Sequence, residues 1–496
     1  MARIAVIGAG MGALAAAARL AVAGHRVAVY ERTDTYGGAL RRFERDGFSF
    51  DTGPGLLPLP AVYRDLFVKT GKEPLEACVE LVQADPSSRH VFADGTAVSL
   101  PNASRAGVVA ALDEALGAGA GARWGDFLVR AREAWDRTRR PLLEEPLWPN
   151  WRVLAEREPY PAVPHKRLLR TRRAGTLAEI GAWELRDPRL AALLESHALA
   201  WGLDPRTAPA SAAVLPYMEH AFGTWYVRGG LRELARAVYE RCLARRVEFH
   251  FGADVTGVLE KDGRVSGIEL ADGAVAEADV VVAGVAPGTL DRLTAGQVLR
   301  GGGEVPPQPA AAARLTVLLA LRGSRPEGTA HRTVVHTPDR EAELDALFSA
   351  AAPGAEPTVT VLRPDDPRPA PEGHEAVTLS TVVPARPDLP WDDLAARVIA
   401  VAGRAVPDLR DRLLWHEVRT PADIAESTGA EGGAVPVPAL AAAGGRLLHP
   451  SGTTRVPGLF TVGGWAHPGG GLPHAGMSGA LVAGLIVEGP DFRGSQ

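Results

Sequence analysis

The sequence predicts an α/β fold that combines a βαβ unit with a second, mixed sheet and a helical insertion. Three observations support this prediction. The N-terminal residues show the order strand, glycine turn, helix, strand, and strand-helix-strand character returns over residues 223–286. Residues 101–215 contain helical runs instead. Residues 301–435 alternate short β-prone runs with Pro- and Gly-rich turns, which predicts the second sheet.

The N-terminal unit has the clearest pattern. Residues 3–7 form a β-prone run, and the Ala- and Leu-rich residues 14–23 predict a helix that ends at Gly24. A second β-prone run covers residues 26–30. The glycine-rich connection over residues 8–13 joins the first strand to the helix, so the segment reads as a compact βαβ unit.

The later elements follow from the same signals. Helical runs at 107–117 and 187–201 are separated by a Pro- and Trp-rich stretch, residues 145–151, that predicts a loop or hairpin. The apolar run 278–283 ends the second strand-helix-strand region. The second sheet and the C-terminal end are predicted from strands at 314–321, 333–337, 358–362, 376–383 and 458–464 and from a helix at 475–488.

Composition excludes several classes of protein. Of the 496 residues, 46% are hydrophobic and 23% are charged, which is ordinary for a folded globular protein. The net charge of −5 provides no basic field to attract nucleic acid. Cys78 and Cys242 are too few for a disulfide framework or a CxxC metal site, and no run is long and apolar enough to span a bilayer. We therefore expect a cytoplasmic protein without a metal site, with peripheral membrane contact left open.

The glycine turn carries the pattern Gly8-x-Gly10-x-x-Ala13 between a strand and a helix. Glycines at these positions allow a tight turn and let a pyrophosphate approach the helix N-terminus. Glu31 ends the second strand, where a carboxylate accepts hydrogen bonds from a ribose diol. These signals predict a Rossmann-like dinucleotide site. We expect cofactor contacts from Gly8, Gly10, Met11, Gly12, Ala13, Glu31 and Arg32.

Two further glycine segments favour FAD over NAD. Gly37 and Gly38 lie shortly after the acidic residue, as they do in flavoproteins that bind the adenosine end of FAD in a βαβ unit. A run of alternating aromatic residues then leads into a Gly-Pro-Gly segment, which suggests backbone close to a flat ligand. Taken alone, this second segment is equally consistent with a simple β-turn. The expected flavin contacts here are Gly53, Pro54, Gly55 and Leu56.

A glycine-dense loop precedes the predicted C-terminal helix. Backbone amides and a helix N-terminus at such a position suit an electron-rich group. In a flavin, that group is the N1–C2=O edge, where negative charge accumulates on reduction. The expected contacts are Gly463, Gly464, Gly471, Leu472 and Pro473.

These segments together resemble the bacterial phytoene desaturase family, which belongs to the amine-oxidase-like superfamily of FAD-dependent oxidoreductases. The resemblance rests on the glycine turn with Glu31 and the paired glycines, on Phe48-x-Phe50-Asp51-x-Gly53-Pro54, on residues 225–231 and on residues 463–473. It implies a GR2-type flavoprotein with a Rossmann-like FAD-binding domain. It also implies noncovalent FAD and an adenine contact at Val255.

The recurrence of these patterns predicts a discontinuous FAD-binding domain built from residues 1–100, 223–300 and 440–496. Residues 101–222 are expected to form a helical insertion or lid. Residues 301–439 are expected to form a mixed-sheet substrate domain.

The resemblance implies a desaturase reaction, in which hydride leaves an allylic carbon for FAD and a proton leaves the neighbouring carbon. His467, His474 and Asp51 are the candidate proton acceptors, since they flank the predicted flavin segments and imidazole titrates near neutrality. Each has a structural alternative: a histidine in a glycine loop often bonds a carbonyl, and an aspartate often anchors a turn. We expect dioxygen or a quinone to act as the electron acceptor.

The expected substrate is a long apolar polyene similar to phytoene or another carotenoid. Four alternatives stay open: desaturation or aromatisation of a carrier-bound polyene acyl chain in specialised metabolism, redox-neutral isomerisation, a non-catalytic flavoprotein subunit, and amine oxidation. An apolar tunnel mouth would indicate a membrane-dissolved substrate, whereas an Arg-rich rim, for example residues 166–173, would indicate an acyl carrier protein.

Overall fold

A parallel sheet lies at the centre of the molecule. The structure is a computed structural model that describes residues 1–165, 170–296, 312–349, 356–386 and 388–494. Within these residues the central sheet has five strands, all parallel to their neighbours. Their spatial order is Glu248–Phe251, Arg26–Glu31, Arg3–Ile7, Val280–Ala283 and Leu459–Thr461. The α/β fold class is therefore confirmed, and strands from three distant parts of the chain meet in one sheet.

Both faces of this central sheet are covered. Ile4 and Val6 pack with helices on one face, whereas Ala5 and Ile7 pack on the other face against an antiparallel meander. Burial on both faces explains why residues 4–7 form an unbroken apolar run rather than an alternating one. The meander strands are Val255–Lys261, Arg264–Leu270 and Val275–Glu277.

The first helix, Met11–Val22, packs closely against the last helix, Leu472–Glu488. A Cβ on Gly479 would lie only 2.4 Å from the carbonyl oxygen of Gly12, so glycine is required at this crossing. The first helix begins three residues earlier than the sequence predicts, because Gly10 has extended backbone and already acts as the N-cap. The close crossing brings the C-terminal segment onto the N-terminal unit.

In the described part of the chain, the second sheet is mixed and has seven strands. In spatial order these are Leu413–Arg419, Ala313–Arg322, His374–Val383, Val359–Leu362, Arg332–Val335, Ser88–Val91 and Ala97–Leu100. The last two strands lie inside the segment 1–100, which the sequence analysis assigned to the FAD-binding domain, but they pair with this second sheet instead. Such short strands carry no local signal for the sheet that they join.

The two faces of the seven-stranded sheet differ in burial. One face is fully buried beneath the helix Trp391–Ala402, with Leu315, Val317 and Leu379 in the shared apolar core. Because successive side chains of a strand point to opposite faces, the intervening residues form a second face, here called the inner face. It includes Arg314, Thr316, Leu318, Ala320, Arg332, Thr360, Leu362, Thr378, Ser380 and Val382, of which Thr316, Leu318 and Ala320 are buried and the others are partly accessible.

Thirteen further α-helices belong to the described part of the chain. They are Ala61–Thr70, Leu75–Cys78, Arg105–Leu116, Ala120–Arg139, Arg152–Glu156, Leu177–Ile180, Pro188–Leu199, Val214–Phe222, Arg232–Ala244, Pro287–Leu293, Arg340–Phe348, Leu409–Arg412 and Pro421–Thr428.

The hairpins and short sheets complete the fold: Val163–His165 with Arg170–Arg172, Arg42–Arg45 with Phe48–Asp51, and Thr224–Val227 with Leu57–Pro58 and Leu81–Gln83. Part of the Arg-rich stretch, residues 166–169, and residues 301–311 of the predicted substrate domain lie outside the described residues. None of the described helices has the length and apolar character needed to cross a bilayer.

Candidate cofactor and active site

The glycine turn joins the strand Arg3–Ile7 to the first helix. Gly8 has a φ of 86°, which favours glycine. No side chain of the described residues caps the first helix, so its first N–H groups are free for an anionic ligand. A Cβ on Gly10 would meet nothing within 4 Å, so open space lies beside the turn. Met11, Gly12 and Ala13 are buried behind it.

Glu31 ties the end of its strand to this turn. Its Oε2 accepts a hydrogen bond from the Ala9 N–H at 2.8 Å, and its Oε1 accepts from the Thr33 N–H at 2.9 Å. The side chain is buried beside the expected ribose position. Arg32, the next residue, is exposed, and its guanidinium donates to the carbonyl of Glu426. The contact predicted from Arg32 therefore stays a prediction.

The paired glycines lie directly against the turn. The Gly37 N–H donates to the carbonyl of Ala9 at 2.8 Å, and a Cβ on Gly38 would lie 3.0 Å from the Gly10 Cα. Arg41 extends the same contact, since its Nε donates to the carbonyl of Gly38 at 3.1 Å. Burial lowers the pKa of Arg41. The structure thus adds a cation near the expected pyrophosphate.

Val255, the predicted adenine contact, lies near the same end of the site. The N–H of Ala253, two residues earlier, donates to the backbone carbonyl of Glu31 at 2.9 Å. Val255 itself is buried at the start of the meander.

The segment that begins at Gly53 contacts both Ala39, which follows the paired glycines, and the inner face. A Cβ on Gly53 would lie 2.1 Å from the carbonyl oxygen of Ala39, and one on Gly55 would lie 2.6 Å from a methyl carbon of Leu362. Only glycine fits the approach to the Ala39 backbone, whereas a side chain at residue 55 would require Leu362 to move. Pro54 and Leu56 are partly accessible beside them.

The C-terminal loop lies against the N-terminal turn. The Cα and N of Gly463 are both 2.8 Å from the position that a Cβ on Gly12 would take. Gly464 packs against Pro436, and Gly471 is the N-cap of the last helix with a φ of 99°. Leu472 and Pro473 then open that helix and are buried. The glycine segments predicted separately therefore converge on one region.

His467 has a defined hydrogen-bonding state. Its Nε2 lies 2.9 Å from the carbonyl oxygen of Glu145, which can only accept, so Nε2–H is the donor. Its Nδ1 is buried and has no hydrogen-bond partner in the described part of the chain. Burial lowers the pKa of His467 to about 4. The imidazole is therefore neutral near pH 7, with a free lone pair on Nδ1.

His474 lies in the first turn of the last helix. Its Nδ1 is 3.4 Å from the Cβ position of Gly471, and the ring of Trp201 is 3.0 Å from the same position. Burial lowers the pKa of His474 to about 3. A third buried histidine, His449, contacts the carbonyl of Val437 at 2.7 Å, and burial lowers its pKa to about 4. No sequence signal singled out His449.

Asp51 is engaged by backbone. Its Oδ2 accepts from the Leu231 N–H at 2.7 Å and its Oδ1 from the Arg232 N–H at 3.3 Å, at the start of the helix Arg232–Ala244. Burial raises the pKa of Asp51 to about 6. Asp51 therefore anchors a helix start, as an aspartate in a turn often does, and its catalytic role stays a prediction.

A small cavity of about 40 Å³ adjoins this aspartate. Gly53 and Gly55 line it on one side, and Tyr226 and His331 line it on the other. The Nε2 of His331 is buried without a hydrogen-bond partner among the described residues, and burial lowers the pKa of His331 to about 3. A polar atom left free in this way marks a place where a water or ligand atom fits.

The parallel sheet, the uncapped glycine turn, the buried Glu31 and the second glycine loop fit a flavin dinucleotide, and they define a flavoprotein of the α/β dinucleotide-binding class. The family model described as flavin containing amine oxidoreductase matches residues 14–487. The chain belongs to this family.

Similar proteins extend over nearly the whole chain. The 4,4'-diapolycopene oxygenase of a Methylomonas species is 30% identical over 98% of this chain and 98% of its own. The hydroxyneurosporene desaturase of Rhodobacter capsulatus is 30% identical over 98% of this chain and 97% of its own. The zeta-carotene-forming phytoene desaturase of Myxococcus xanthus is 29% identical over 97% of this chain and 93% of its own.

Solved structures share the fold. An oxidoreductase from Methanosarcina mazei superimposes with a TM-score of 0.65 at 18% identity, covering 97% of this chain and 99% of that one. Putrescine oxidase bound to putrescine superimposes with a TM-score of 0.62 at 14% identity, covering 98% of this chain and 99% of that one.

Proposed function

We propose that this protein is an FAD-dependent desaturase of a carotenoid or a related long polyene. The observation that carries the proposal is that relatives named as carotenoid desaturases match more than nine-tenths of the chain, including the helical insertion and the second sheet. The partly accessible inner face, which meets the Gly53–Gly55 segment through Leu362, supports a binding surface for an extended substrate.

In this proposal the cofactor is noncovalent FAD. The glycine turn and Glu31 hold its adenosine and pyrophosphate, and the loops at 53–56 and 463–473 hold the flavin ring. When bound, FAD supplies the hydride acceptor. The buried side chains around both loops exclude water from the reacting carbon atoms.

His467 is the proposed proton acceptor. Its Nε2–H is fixed on the Glu145 carbonyl, which leaves the Nδ1 lone pair free. His474 is the second candidate, because it opens the last helix beside Gly471 and is also neutral near pH 7. Asp51 is better suited to holding the helix Arg232–Ala244 against the Gly53–Gly55 segment.

The test is an anaerobic reaction of the FAD-loaded protein with a carotene, a carrier-bound polyene and an amine, each in a separate assay. Flavin bleaching with the carotene, together with a product that has lost two hydrogen atoms, supports the proposal. Bleaching by the amine alone contradicts it. Admitting dioxygen or a quinone afterwards identifies the electron acceptor, and adding lipid vesicles tests the proposed peripheral membrane contact.

A second candidate function is oxidation of a polyene at its end. The relative named 4,4'-diapolycopene oxygenase is as similar to this chain as the desaturases are. Repeating the assay in air separates the two, because an oxygenase product gains oxygen whereas a desaturase product only loses hydrogen.

A further inference from the structure

Arg314 and Arg332 both lie on the inner face of the seven-stranded sheet, and they differ in how their charge is compensated. Arg332 is paired, since its Nη1 donates to Oε1 of Glu219 at 3.0 Å. Although burial lowers the pKa of Arg332, the Glu219 carboxylate raises it above its usual value. Arg314 has no such partner: no carboxylate of the described residues lies within ion-pair distance of it.

Arg314 makes one hydrogen bond to the described part of the chain. Its Nη2 donates to the carbonyl of Ala200 at 2.7 Å, just beyond the helix Pro188–Leu199. A guanidinium carries five N–H donors, so this contact, which satisfies a helix end, leaves most of them free.

The surroundings of Arg314 are those of a group open on one side. Its neighbours Ala313 and Leu315 point into the buried core on the opposite face of the sheet. Burial lowers the pKa of Arg314, yet the side chain keeps partial accessibility. A half-buried cation that has no carboxylate partner among the described residues is stabilised when a ligand brings an anion.

Arg314 also lies near the proposed flavin site. Ala200 is followed by Trp201, whose ring contacts the Cβ position of Gly471 at the start of the last helix. In the other direction the strand runs from Arg314 to Ala320, which pairs with Ala376 beside the Gly53–Gly55 cavity. Six residues of extended strand span about 20 Å. Thr316 and Leu318 are buried, so the partly accessible residues between these points are Thr378, Ser380 and Val382 of the neighbouring strand.

We propose that Arg314 binds a carboxylate at one end of the substrate, so that the ligand is a polyene acid whose chain lies along the inner face toward the flavin. A guanidinium and a carboxylate form two parallel hydrogen bonds, which fixes both the position and the direction of the chain. This proposal rests on the proposed function, because it names the class of polyene.

The experiment measures binding of retinoic acid and of its methyl ester to the FAD-loaded protein by equilibrium dialysis. The acid is expected to bind at least about tenfold more tightly than the ester, as for a charge-assisted hydrogen bond. Arg314→Gln is expected to remove this preference while leaving the affinity for the ester unchanged. Arg322→Gln is the matched control, because Arg322 is the exposed residue at the other end of the same strand.

Equal affinity of the wild-type protein for acid and ester overturns the proposal, even if the variant fails to fold. An acid preference that persists in Arg314→Gln also overturns it. The measurement requires no turnover, so its failure is distinct from failure of the desaturase assay: a protein that bleaches with a neutral carotene but binds acid and ester equally is a desaturase without this anchor.

Discussion

The carboxylate of Glu31 accepts a hydrogen bond from the backbone N–H of Ala9 across 2.8 Å, between the end of one strand and the middle of the glycine turn. The same carboxylate accepts from both the N–H and the hydroxyl of Thr33. One buried side chain therefore fixes the turn and the following loop, which are the two segments expected to contact the ribose and pyrophosphate.

Glu31→Gln is expected to weaken FAD binding by about 1.5–3 kcal/mol, because a neutral amide replaces a charged acceptor and places an NH2 group against backbone donors. The measurement is the dissociation constant of FAD for the apoprotein, followed by flavin fluorescence. Glu248→Gln on the neighbouring strand is the control, since Glu248 is exposed. Equal FAD affinity in both variants would contradict the role of Glu31.

Gly10→Ala and Gly12→Ala form a matched pair. A methyl group at Gly10 meets no protein atom and has an allowed φ of −73°, so we expect the apoprotein to remain folded but to lose FAD affinity. A methyl group at Gly12 lies 2.8 Å from Gly463 backbone and 2.9 Å from the carbonyl oxygen of Ala475. Thermal unfolding of both apoproteins should show a lowered midpoint for Gly12→Ala only. The reverse order of stability would contradict the structure.

His474 is expected to make the folded protein sensitive to acid. Burial lowers its pKa from 6.5 to about 3, so the unfolded chain binds a proton that the folded one rejects, and stability is lost as the pH falls below about 6.5. Relative to His474→Gln, the wild type should lose about 3 kcal/mol more unfolding free energy between pH 7 and pH 4. Urea unfolding at both pH values measures this. An equal loss of unfolding free energy in the wild type and in His474→Gln would exclude the effect. His250→Gln is the control, because His250 is exposed.

Asp51 should act with the opposite sign. Burial raises its pKa from 3.8 to about 6, so its contribution to stability is fully present below about pH 4 and is lost as the pH rises through about 6. Asp51→Asn removes this titration while keeping an acceptor for the Leu231 N–H. The variant should therefore gain about 2 kcal/mol relative to the wild type on going from pH 4 to pH 7 in the same unfolding experiment. An unchanged difference would mean that Asp51 does not titrate in this range.

The features predicted correctly from the sequence are local ones. The strand, glycine turn and helix of the N-terminal unit lie within a few residues of one another, and their spacing predicts a dinucleotide-binding α/β unit. The flavoprotein family is predicted by a resemblance that also draws on the later glycine segments, and both the fold class and the family are confirmed. The helix N-terminus and the positive φ of Gly8 are likewise properties of short segments. Each leaves a pattern in consecutive residues, because backbone geometry restricts which residue types fit.

The tertiary structure decided what surrounds the site. It joins Ser88–Val91 to the second sheet, holds Asp51 on a helix that begins 181 residues later, and brings His331 and Arg314 to opposite ends of the inner face. Single side chains such as these have no periodicity, and their partners lie far away along the chain. The contacts of these side chains are fixed by sheet pairing and burial. Sheet pairing and burial depend in turn on how distant segments pack, and not on any one stretch of sequence.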